Sequence, residues 1–252
     1  MTQSDRQGIA AAVVLCAGRG GRLGGLTETI PKTLLEVDGG WTILDCALST
    51  LAATGTTQVR LVVGHAADVV ARRVTKMETA HGVTVSLVEN PHHASRNNAY
   101  SLSLGLVGLE GDLLVVNGDT LFESGVVARL VTAPPTPVTL AVDRVKHLGE
   151  EEMKVRFDGT GSLMAISKHL DAATVDGEYI GLARVSRSAI AGLGAALDRV
   201  WSRDPALYYE DAFGDLATSG GVVTMVDVGD LQWMEVDTPA DLERARMMSW
   251  RS

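Results

Sequence analysis

A glycine-rich segment directly after an apolar run constrains this chain more than any other stretch. Residues 11–17 read AAVVLCA, and residues 18–25 read GRGGRLGG. A short continuous apolar run is typical of a buried strand, usually a parallel one. Because glycines lack side chains, successive backbone N–H groups can turn toward an anion. With Arg19, Arg22 and Lys32 nearby, the segment predicts a site for the phosphates of a nucleoside triphosphate.

Two common phosphate-binding motifs do not match this segment. A P-loop ends in Gly-Lys followed by Ser or Thr, and the sequence has no such tripeptide. A dinucleotide-binding fingerprint has glycines at its first, third and sixth positions. Gly18 and Gly20 match the first and third positions, but Leu23 occupies the sixth. The other alternative is a flexible surface loop. Two arginines and a Pro-Lys pair beside a buried strand disfavour it, because flexible linkers rarely have that composition.

The composition is that of an α/β protein with an acidic surface. The 252 residues are enough for one large α/β domain or two small ones, and 46% of them are hydrophobic. A formal net charge of −9 argues against general nucleic-acid binding, which needs a basic face. An acidic protein that binds a polyphosphate must therefore concentrate its positive charge locally.

The cellular location is predicted from cysteine content and hydropathy. Cys16 and Cys46 are too few for a disulfide framework and indicate a reducing compartment. Residues 1–8 are polar, unlike a signal peptide, and no apolar run approaches membrane-spanning length. We therefore expect a cytoplasmic protein, with Cys16 as a small buried residue rather than a nucleophile.

The order of predicted elements indicates an α/β fold. Apolar runs predict strands at 9–15, 59–63, 83–88 and 113–117, and 3.6-residue spacing predicts helices at 42–54, 68–81, 99–106 and 123–131. Such alternation favours a parallel sheet with right-handed crossovers. After the pair Pro134-Pro135, shorter alternating runs predict an antiparallel part at 138–142, 153–157, 163–166 and 179–185. Helices at 188–200 and 206–217 and a strand at 222–228 follow.

Two aspartates are candidates for a metal site. Asp119 follows a buried strand, and Asp237 precedes Thr238-Pro239, a pattern typical of a helix N-cap with proline in the first turn. Both aspartates are predicted at strand ends, where open α/β sheets bind ligands. Mg²⁺ is usually held by one or two carboxylates together with substrate phosphates. Taken alone, each aspartate fits an ordinary turn or capping residue better than a metal ligand, and the pair gains weight from the glycine-rich segment.

Four basic residues are candidates for contacts with charged substrates. Nucleotidyl transfer depends on positioned positive charge, and Arg22 and Lys32 are placed to brace a triphosphate. A solvated surface lysine is the alternative for Lys32. Lys154 and Lys168, in the antiparallel part, are candidates for the phosphate of an acceptor, with ordinary exposed strand lysines as an equal alternative.

The motifs together resemble a known family. Residues 15–23 with Pro31-Lys32 resemble the signature of the nucleotidyltransferases that activate sugar phosphates and phospho-alcohols. Cys16 replaces the usual alanine there, where the backbone makes the contacts. Gly118-Asp119 and residues 236–239 resemble the family's two magnesium aspartates, and residues 166–168 resemble its acceptor-phosphate segment. The resemblance extends over residues 9–246.

Other segments narrow the resemblance to cytidylyltransferases. Residues 96–102 read RNNAYSL, which resembles the phosphocholine enzymes rather than the Gly-Thr-Ala-like turn of hexose-1-phosphate enzymes. Residues 151–155, 177–182 and 209–213 are similar to cytidylyltransferases that act on phosphonates, inositol-1-phosphate or phosphoglutamine.

The resemblance implies a fold, a reaction and a set of site residues. The fold is a Rossmann-like three-layer α/β/α domain over residues 8–248, with a nucleotide-binding half at 8–132, an acceptor-binding part at 136–220 and a mixed, mainly parallel sheet. The implied catalytic residues are Arg22, Lys32 and Lys168, with Mg²⁺ on Asp119 and Asp237. Nucleotide-binding residues would be Leu15, Ala17, Gly18, Gly20, Gly21, Asn97, Asn98, Ser101 and Gly118. Acceptor-binding residues would be Lys154, Glu178 and Tyr209.

The implied activity is transfer of CMP from CTP to a small phosphorylated or phosphonate acceptor. The expected partners are these two substrates, with a homodimer as a candidate assembly and neither a nucleic acid nor a membrane. One alternative is a sugar-1-phosphate nucleotidyltransferase that uses UTP, dTTP or GTP. Another is a non-catalytic regulatory subunit, which the retention of Arg22, Lys32, Asp119 and Asp237 disfavours.

Overall fold

A computed structural model of the chain describes residues 8–250. The prediction about a signal peptide concerns residues 1–8, and all but the last of these lie outside the described residues. The strands are β1 Ile9–Cys16, β2 Glu36–Asp38, β3 Trp41–Thr42, β4 Gln58–Val63, β5 Thr84–Glu89, β6 Asp112–Asn117, β7 Thr120–Phe122, β8 Val138–Asp143, β9 Lys154–Phe157, β10 Leu163–Ser167, β11 Gly177–Val185, β12 Val223–Asp227 and β13 Trp233–Glu235. The α-helices are α1 Ile43–Ala53, α2 Ala67–Ala71, α3 Val74–His81, α4 Asn98–Leu106, α5 Ser124–Thr132, α6 Ile190–Arg203, α7 Tyr209–Thr218 and α8 Pro239–Arg246.

A mixed nine-stranded sheet forms the centre of the described residues. β1 lies between β4 and β6, and β5 pairs with β4 beyond it, all in parallel. β11 runs antiparallel to β6 and to its other neighbours β8 and β9, and β12 pairs parallel with β8. The predicted parallel half and antiparallel addition are confirmed.

Helices cover both faces of this sheet. In β1, Val13 packs with residues of α4, α6 and α7 on one face, whereas Val14 packs with residues of α1, α3 and α5 on the other. Successive side chains of a strand point to opposite faces, so a strand with apolar residues at every position is covered on both sides. The three-layer α/β/α architecture is confirmed. Cys16 is buried in the second cluster, and burial raises the pKa of its thiol to about 12.

Capping residues fix where several helices begin. Thr42 forms a capping box with Asp45 at the start of α1. Thr238 forms one with Asp241 at the start of α8, where Pro239 is the first helical residue. These caps fix the residue at which each helix begins, because both side chains of the box accept hydrogen bonds from backbone N–H groups that the helix itself leaves unpaired. The expected strand-to-helix corner at Asp237 is confirmed.

Two predicted helices differ in the structure. The helix expected at 68–81 is divided into α2 and α3 at Arg72 and Arg73, where the Arg73 N–H bonds the Val70 carbonyl in a tighter turn. The helix expected at 206–217 begins later, at Tyr209, because the Asp211 carboxylate accepts the N–H of Tyr208. Among residues 8–250, no helix has both the length and the apolar composition needed to cross a membrane.

The sheet divides beside the middle of β11. β8 occupies one edge of β11, so β6 and β9 must both pair with the other edge. β6 leaves that edge at Leu182, and β9 joins it at Glu178. Gly181 lies in the gap with φ +79°, and a Cβ there would be 2.5 Å from the Asn117 side-chain nitrogen. Residues 179–181 are therefore left to line an opening at the carboxyl end of β6.

Substitution of Gly105 tests the packing of α4 on this sheet. A Cβ at Gly105 would lie 2.6 Å from Val13 Cγ1 and 2.9 Å from Val62 Cγ2. We expect Gly105→Ala to lower the free energy of unfolding by about 1 kcal/mol or more, since over-packing outweighs the gain in helix propensity. In the control Gly194→Ala, in α6, the new Cβ would meet no described atom within 4 Å. The control should stabilise by about 0.5–1 kcal/mol. Urea unfolding of both variants measures the difference, and equal effects would contradict the packing.

Candidate active site

A cleft opens where β6 and β9 part along β11. It consists of a central cavity of about 280 Å³ and an outer cavity of about 640 Å³. Both cavities are lined by Arg22, Glu151, Lys168, Glu178, Trp233, Glu235 and Asp237, so they form one continuous opening. The cleft lies at the carboxyl ends of the parallel strands, where open α/β sheets bind ligands.

The glycine-rich segment forms one wall of the central cavity. Leu15, Ala17, Gly18 and Arg22 line this cavity. Gly20 has φ +66°, which permits the chain to turn into the short 3-10 segment Gly21–Thr27. The Thr27 hydroxyl donates to the Gly20 carbonyl at 3.0 Å and thereby closes the turn. The predicted anion-binding segment therefore faces the cleft through its first residues and Arg22.

Strand pairing brings the two predicted metal aspartates together. β7 and β13 form a short antiparallel ladder in which Thr120 is opposite Glu235. The Val236 N–H extends the ladder by donating to the Asp119 carbonyl at 2.9 Å. Asp119 and Asp237, far apart in the sequence, are thus neighbours at the carboxyl end of β6.

Two cations balance this group of acids. The Lys32 ammonium is 2.9 Å from Asp119 Oδ2 and also forms an ion pair with Asp237, whose other oxygen binds the Arg22 guanidinium. Lys32 is only 7% exposed, which excludes a solvated surface lysine. Burial alone would lower the pKa of Lys32, but Asp119 and Asp237 outweigh it and raise this pKa. The lysine is therefore held as a cation among the carboxylates.

Polar side chains of α4 form the opposite wall. Asn97, Asn98 and Ser101 line the central cavity, together with Gly118. The side-chain oxygen of Asn97 caps α4 by accepting the Asn98 N–H at 2.8 Å. Asn98 Oδ1 accepts the Tyr209 N–H at 2.9 Å, which fixes α7 against α4. Their predicted contact with a nucleotide stays a prediction.

The predicted acceptor residues have three different environments. Lys168 and Glu178 both line the two cavities. Lys154 is 2% exposed, and its ammonium donates to the carbonyl of Lys168 at 2.7 Å. Lys154 therefore positions the backbone beside Lys168, and its direct contact with an acceptor stays a prediction.

Tyr209 is fully buried behind the cleft. Its hydroxyl donates to Asn117 Oδ1 at 2.8 Å and lies 2.9 Å from the Tyr179 hydroxyl. Its ring also packs edge-on against Phe213. This network holds Asn117 at the end of β6, so Tyr209 shapes the cleft from behind; its predicted contact with an acceptor stays a prediction.

Comparison with known proteins assigns the family. The family model described as "MobA-like NTP transferase domain" matches residues 12–150, more than half of the chain. The chain belongs to the family of MobA-like NTP transferase domains. The matched segment contains the glycine-rich loop, Lys32 and Asp119, whereas β13 and Asp237 lie beyond it.

Individual relatives of this NTP transferase domain cover nearly the whole chain. The CMP-5'-(3-aminopropyl)phosphonate synthase of Streptomyces rubellomurinus is 32% identical over 93% of this chain. The bifunctional IPC transferase and DIPP synthase of Rubrobacter xylanophilus is 32% identical over 97% of it. The chain spans only 38% and 53% of these two relatives. The inositol-1-phosphate CTP transferase from T. maritima has the same fold, with a TM-score of 0.80 and 23% identity, covering 93% of this chain and 92% of that one.

Sequence reasoning missed a third acid of the NTP transferase site. Oxygens of Asp119, Glu235 and Asp237 all lie within 4.8 Å of one another. The Glu235 side chain is exposed to solvent beside the other two carboxylates, and partial desolvation in the cleft together with the charges of Asp119 and Asp237 raises its pKa. The sequence spacing could have predicted this acid, because Glu235 and Asp237 are two residues apart in an extended segment and such residues point to the same side.

Glu210 is a second acid that the sequence did not reveal. It lines the central cavity while only 4% exposed, and its Oε2 has no hydrogen-bond partner within residues 8–250. Burial raises the pKa of Glu210 to about 8. Nothing local predicts this, since Glu210 is one of several acids near the start of α7 and only the packing of that helix directs it inward.

Removal of the Tyr209 hydroxyl tests the network behind the cleft. Tyr209→Phe leaves Asn117 Oδ1 and the Tyr179 hydroxyl without their shared partner in a buried site. We expect a loss of about 1–3 kcal/mol in the free energy of unfolding. The adjacent Tyr208→Phe is the control, because Tyr208 is 37% exposed. Its hydroxyl makes no hydrogen bond to residues 8–250, so the control should change stability little. A loss of the same size in both variants would contradict the role of the network.

Proposed function

We propose that this chain is a Mg²⁺-dependent cytidylyltransferase. It transfers CMP from CTP to the phosphate or phosphonate of a small metabolite and releases pyrophosphate. One observation carries the proposal: the glycine-rich segment and a compact group of three acids, two of them paired with Lys32 and Arg22, meet at a single cleft. Nucleotidyl transfer needs positioned positive charge around the transferring phosphate, and this arrangement supplies it.

The acid group fits a divalent metal ion. Asp119 Oδ1 is buried and has no hydrogen-bond partner within the described part of the chain. Lys32 and Arg22 pair with Asp119 and Asp237, but within residues 8–250 no basic side chain forms an ion pair with Glu235, the third acid of the group. Oxygen donors of this kind are what Mg²⁺ prefers, so Asp119 and Asp237 would hold it with Glu235 nearby. When bound, the ion would neutralise negative charge on the transferring phosphate.

The proposed step is an in-line displacement at the α-phosphorus. An oxygen of the acceptor's phosphate or phosphonate forms the new bond to the α-phosphorus of CTP. The bond from that phosphorus to the oxygen shared with the β-phosphate breaks, and pyrophosphate leaves with the electron pair. The acceptor oxygen is already anionic, so the step requires no general base.

The chain's own residues would orient the two substrates. Arg22 and the glycine-rich segment would bind the triphosphate, with Lys32 holding Asp119 and Asp237 in place. Lys168 lines both cavities and would bind the acceptor anion. Asn97, Asn98 and Ser101 would contact the base and ribose.

The relatives support CTP as the nucleotide. One is a CMP-phosphonate synthase, and the neighbour in fold is a CTP transferase. A sugar-1-phosphate nucleotidyltransferase that uses UTP, dTTP or GTP is the alternative. A cytoplasmic location and a homodimer stay predictions from the sequence.

A nucleotide panel tests the proposed function. Pyrophosphate release is measured with CTP, UTP, dTTP and GTP against phosphonates, phosphocholine, inositol-1-phosphate and glucose-1-phosphate. We expect turnover with CTP and a non-hexose acceptor, lost in EDTA and restored by excess Mg²⁺. Turnover with UTP and glucose-1-phosphate but not with CTP would refute the proposal.

Substitution of the two aspartates tests the metal assignment without knowledge of the acceptor. In the presence of Mg²⁺, we expect Asp119→Asn and Asp237→Asn each to weaken CTP binding at least about tenfold, because even residues that only support a metal ligand have effects of that size. Calorimetry measures the dissociation constants. Asp68→Asn, on the exposed side of α2, is the control and should bind CTP normally. Unchanged CTP affinity in either cleft variant would refute the assignment.

A further inference from the structure

The outer cavity contains a cation site that the transfer reaction leaves unexplained. The Lys146 ammonium lies 5.0 Å from the centre of the Trp233 ring. The same ammonium forms ion pairs with Glu178 at 2.8 Å and with Glu152 at 3.6 Å. An aromatic face beside carboxylates is a common way to bind an alkylammonium group. We call Trp233 and Glu178 the ammonium site.

The ammonium site is built independently of Lys146. The Trp233 ring is fixed from behind, because its Nε1 donates to Asp143 Oδ2 at 2.8 Å. Glu178 lies on β11, is 4% exposed and is held by strand pairing on both sides. Lys146, by contrast, belongs to the segment 144–153 between β8 and β9, and its side chain is 40% exposed. The lysine can therefore leave while the site keeps its shape.

The ammonium site and Lys168 are close enough for one small molecule. Glu178 is opposite Lys154 in the sheet, and Lys154 is opposite Ser167, the residue before Lys168. Two strand spacings separate Glu178 from Ser167, a distance of about 10 Å between backbones. An acceptor with an anion at one end and a cation at the other would match this spacing.

The charge of the outer cavity favours such a molecule. Seven carboxylates line this cavity, among them those of Glu178, Glu235 and Asp237, against four basic side chains, those of Arg22, Lys146, Lys168 and Arg244. A purely anionic acceptor would be repelled by the buried carboxylate of Glu178. An acceptor that carries its own cation would instead replace the ion pair that Lys146 now provides.

We propose that the acceptor is a zwitterion whose primary ammonium group binds Trp233 and Glu178 in place of the Lys146 ammonium, while its phosphate or phosphonate binds Lys168. This inference rests on the proposed cytidylyltransferase activity and names the chemical class of its acceptor. Lys146 acts as an internal competitor that occupies the ammonium site until the acceptor displaces it.

The test compares two acceptors that differ in one group. One is 3-aminopropylphosphonate, and the other is butylphosphonate, in which a methyl group replaces the ammonium. Pyrophosphate release with CTP and Mg²⁺ gives kcat/KM for each acceptor in the wild-type chain and in three variants. Thermal unfolding of every variant verifies that it is folded.

The expected result is an acceptor preference that depends on the ammonium site. The wild type should favour 3-aminopropylphosphonate at least tenfold. Glu178→Gln, which keeps the shape and removes the charge, should reduce this preference at least tenfold. Lys146→Met should increase kcat/KM for the amino acceptor about threefold or more. The control Lys76→Met, exposed on α3, should behave as the wild type.

Three kinds of result would overturn the inference in distinguishable ways. Comparable turnover of both acceptors, or a preference that survives Glu178→Gln, would refute the ammonium site and leave the cytidylyltransferase proposal standing. Turnover with UTP, dTTP or GTP but with no CTP and acceptor pair would refute both, whereas turnover of CTP only with inositol-1-phosphate, which has no ammonium group, would refute the ammonium site alone. A decrease in kcat/KM for the amino acceptor in Lys146→Met would refute the role of Lys146 as a competitor.

Discussion

The charge of the cleft is set by three carboxylates that lie close together at the carboxyl end of β6. Asp119, Glu235 and Asp237 are held within a few ångströms of one another by the ladder between β7 and β13. Carboxylates at such distances repel each other in a partly buried setting. A fold keeps such an arrangement when a cation or a charged substrate relieves it. Lys32 and Arg22 lie beside the carboxylates, where their ion pairs with Asp119 and Asp237 reduce this repulsion.

The division of the sheet along β11 separates the two halves of the cleft. On the side of β6, the glycine-rich segment and α4 present backbone N–H groups, amides and Arg22. On the side of β9, Lys168 and Glu178 present charges of both signs beside the Trp233 ring. Gly181 permits the irregular backbone of β11 between Tyr179 and Ala183, and the Tyr209 hydroxyl supports Asn117 from behind, so contacts define both sides of the opening. In the proposed reaction, the triphosphate binds at the first wall and the acceptor at the second.

Some features of the site were predictable from the sequence for local reasons. The glycine-rich segment, the apolar strand before it and the capping pattern at Thr238-Pro239 each depend on neighbouring residues. The same holds for the order of strands and helices, since apolar periodicity is a local property. The division of the predicted helix at 68–81 was missed because a tight turn at Arg73 has no distinctive residue pattern.

The sequence by itself determined the fold class, the place of the glycine-rich segment after β1 and the places of the two aspartates, because each is a local pattern in a short stretch. Only the tertiary structure decided which acids meet and which lysines face the cleft. Glu235 joins Asp119 through the register of β7 and β13, Lys154 is turned toward carbonyls instead of the cavity, and Lys146 meets Trp233 across more than eighty residues. These contacts depend on long-range strand pairing, and no local pattern records that pairing.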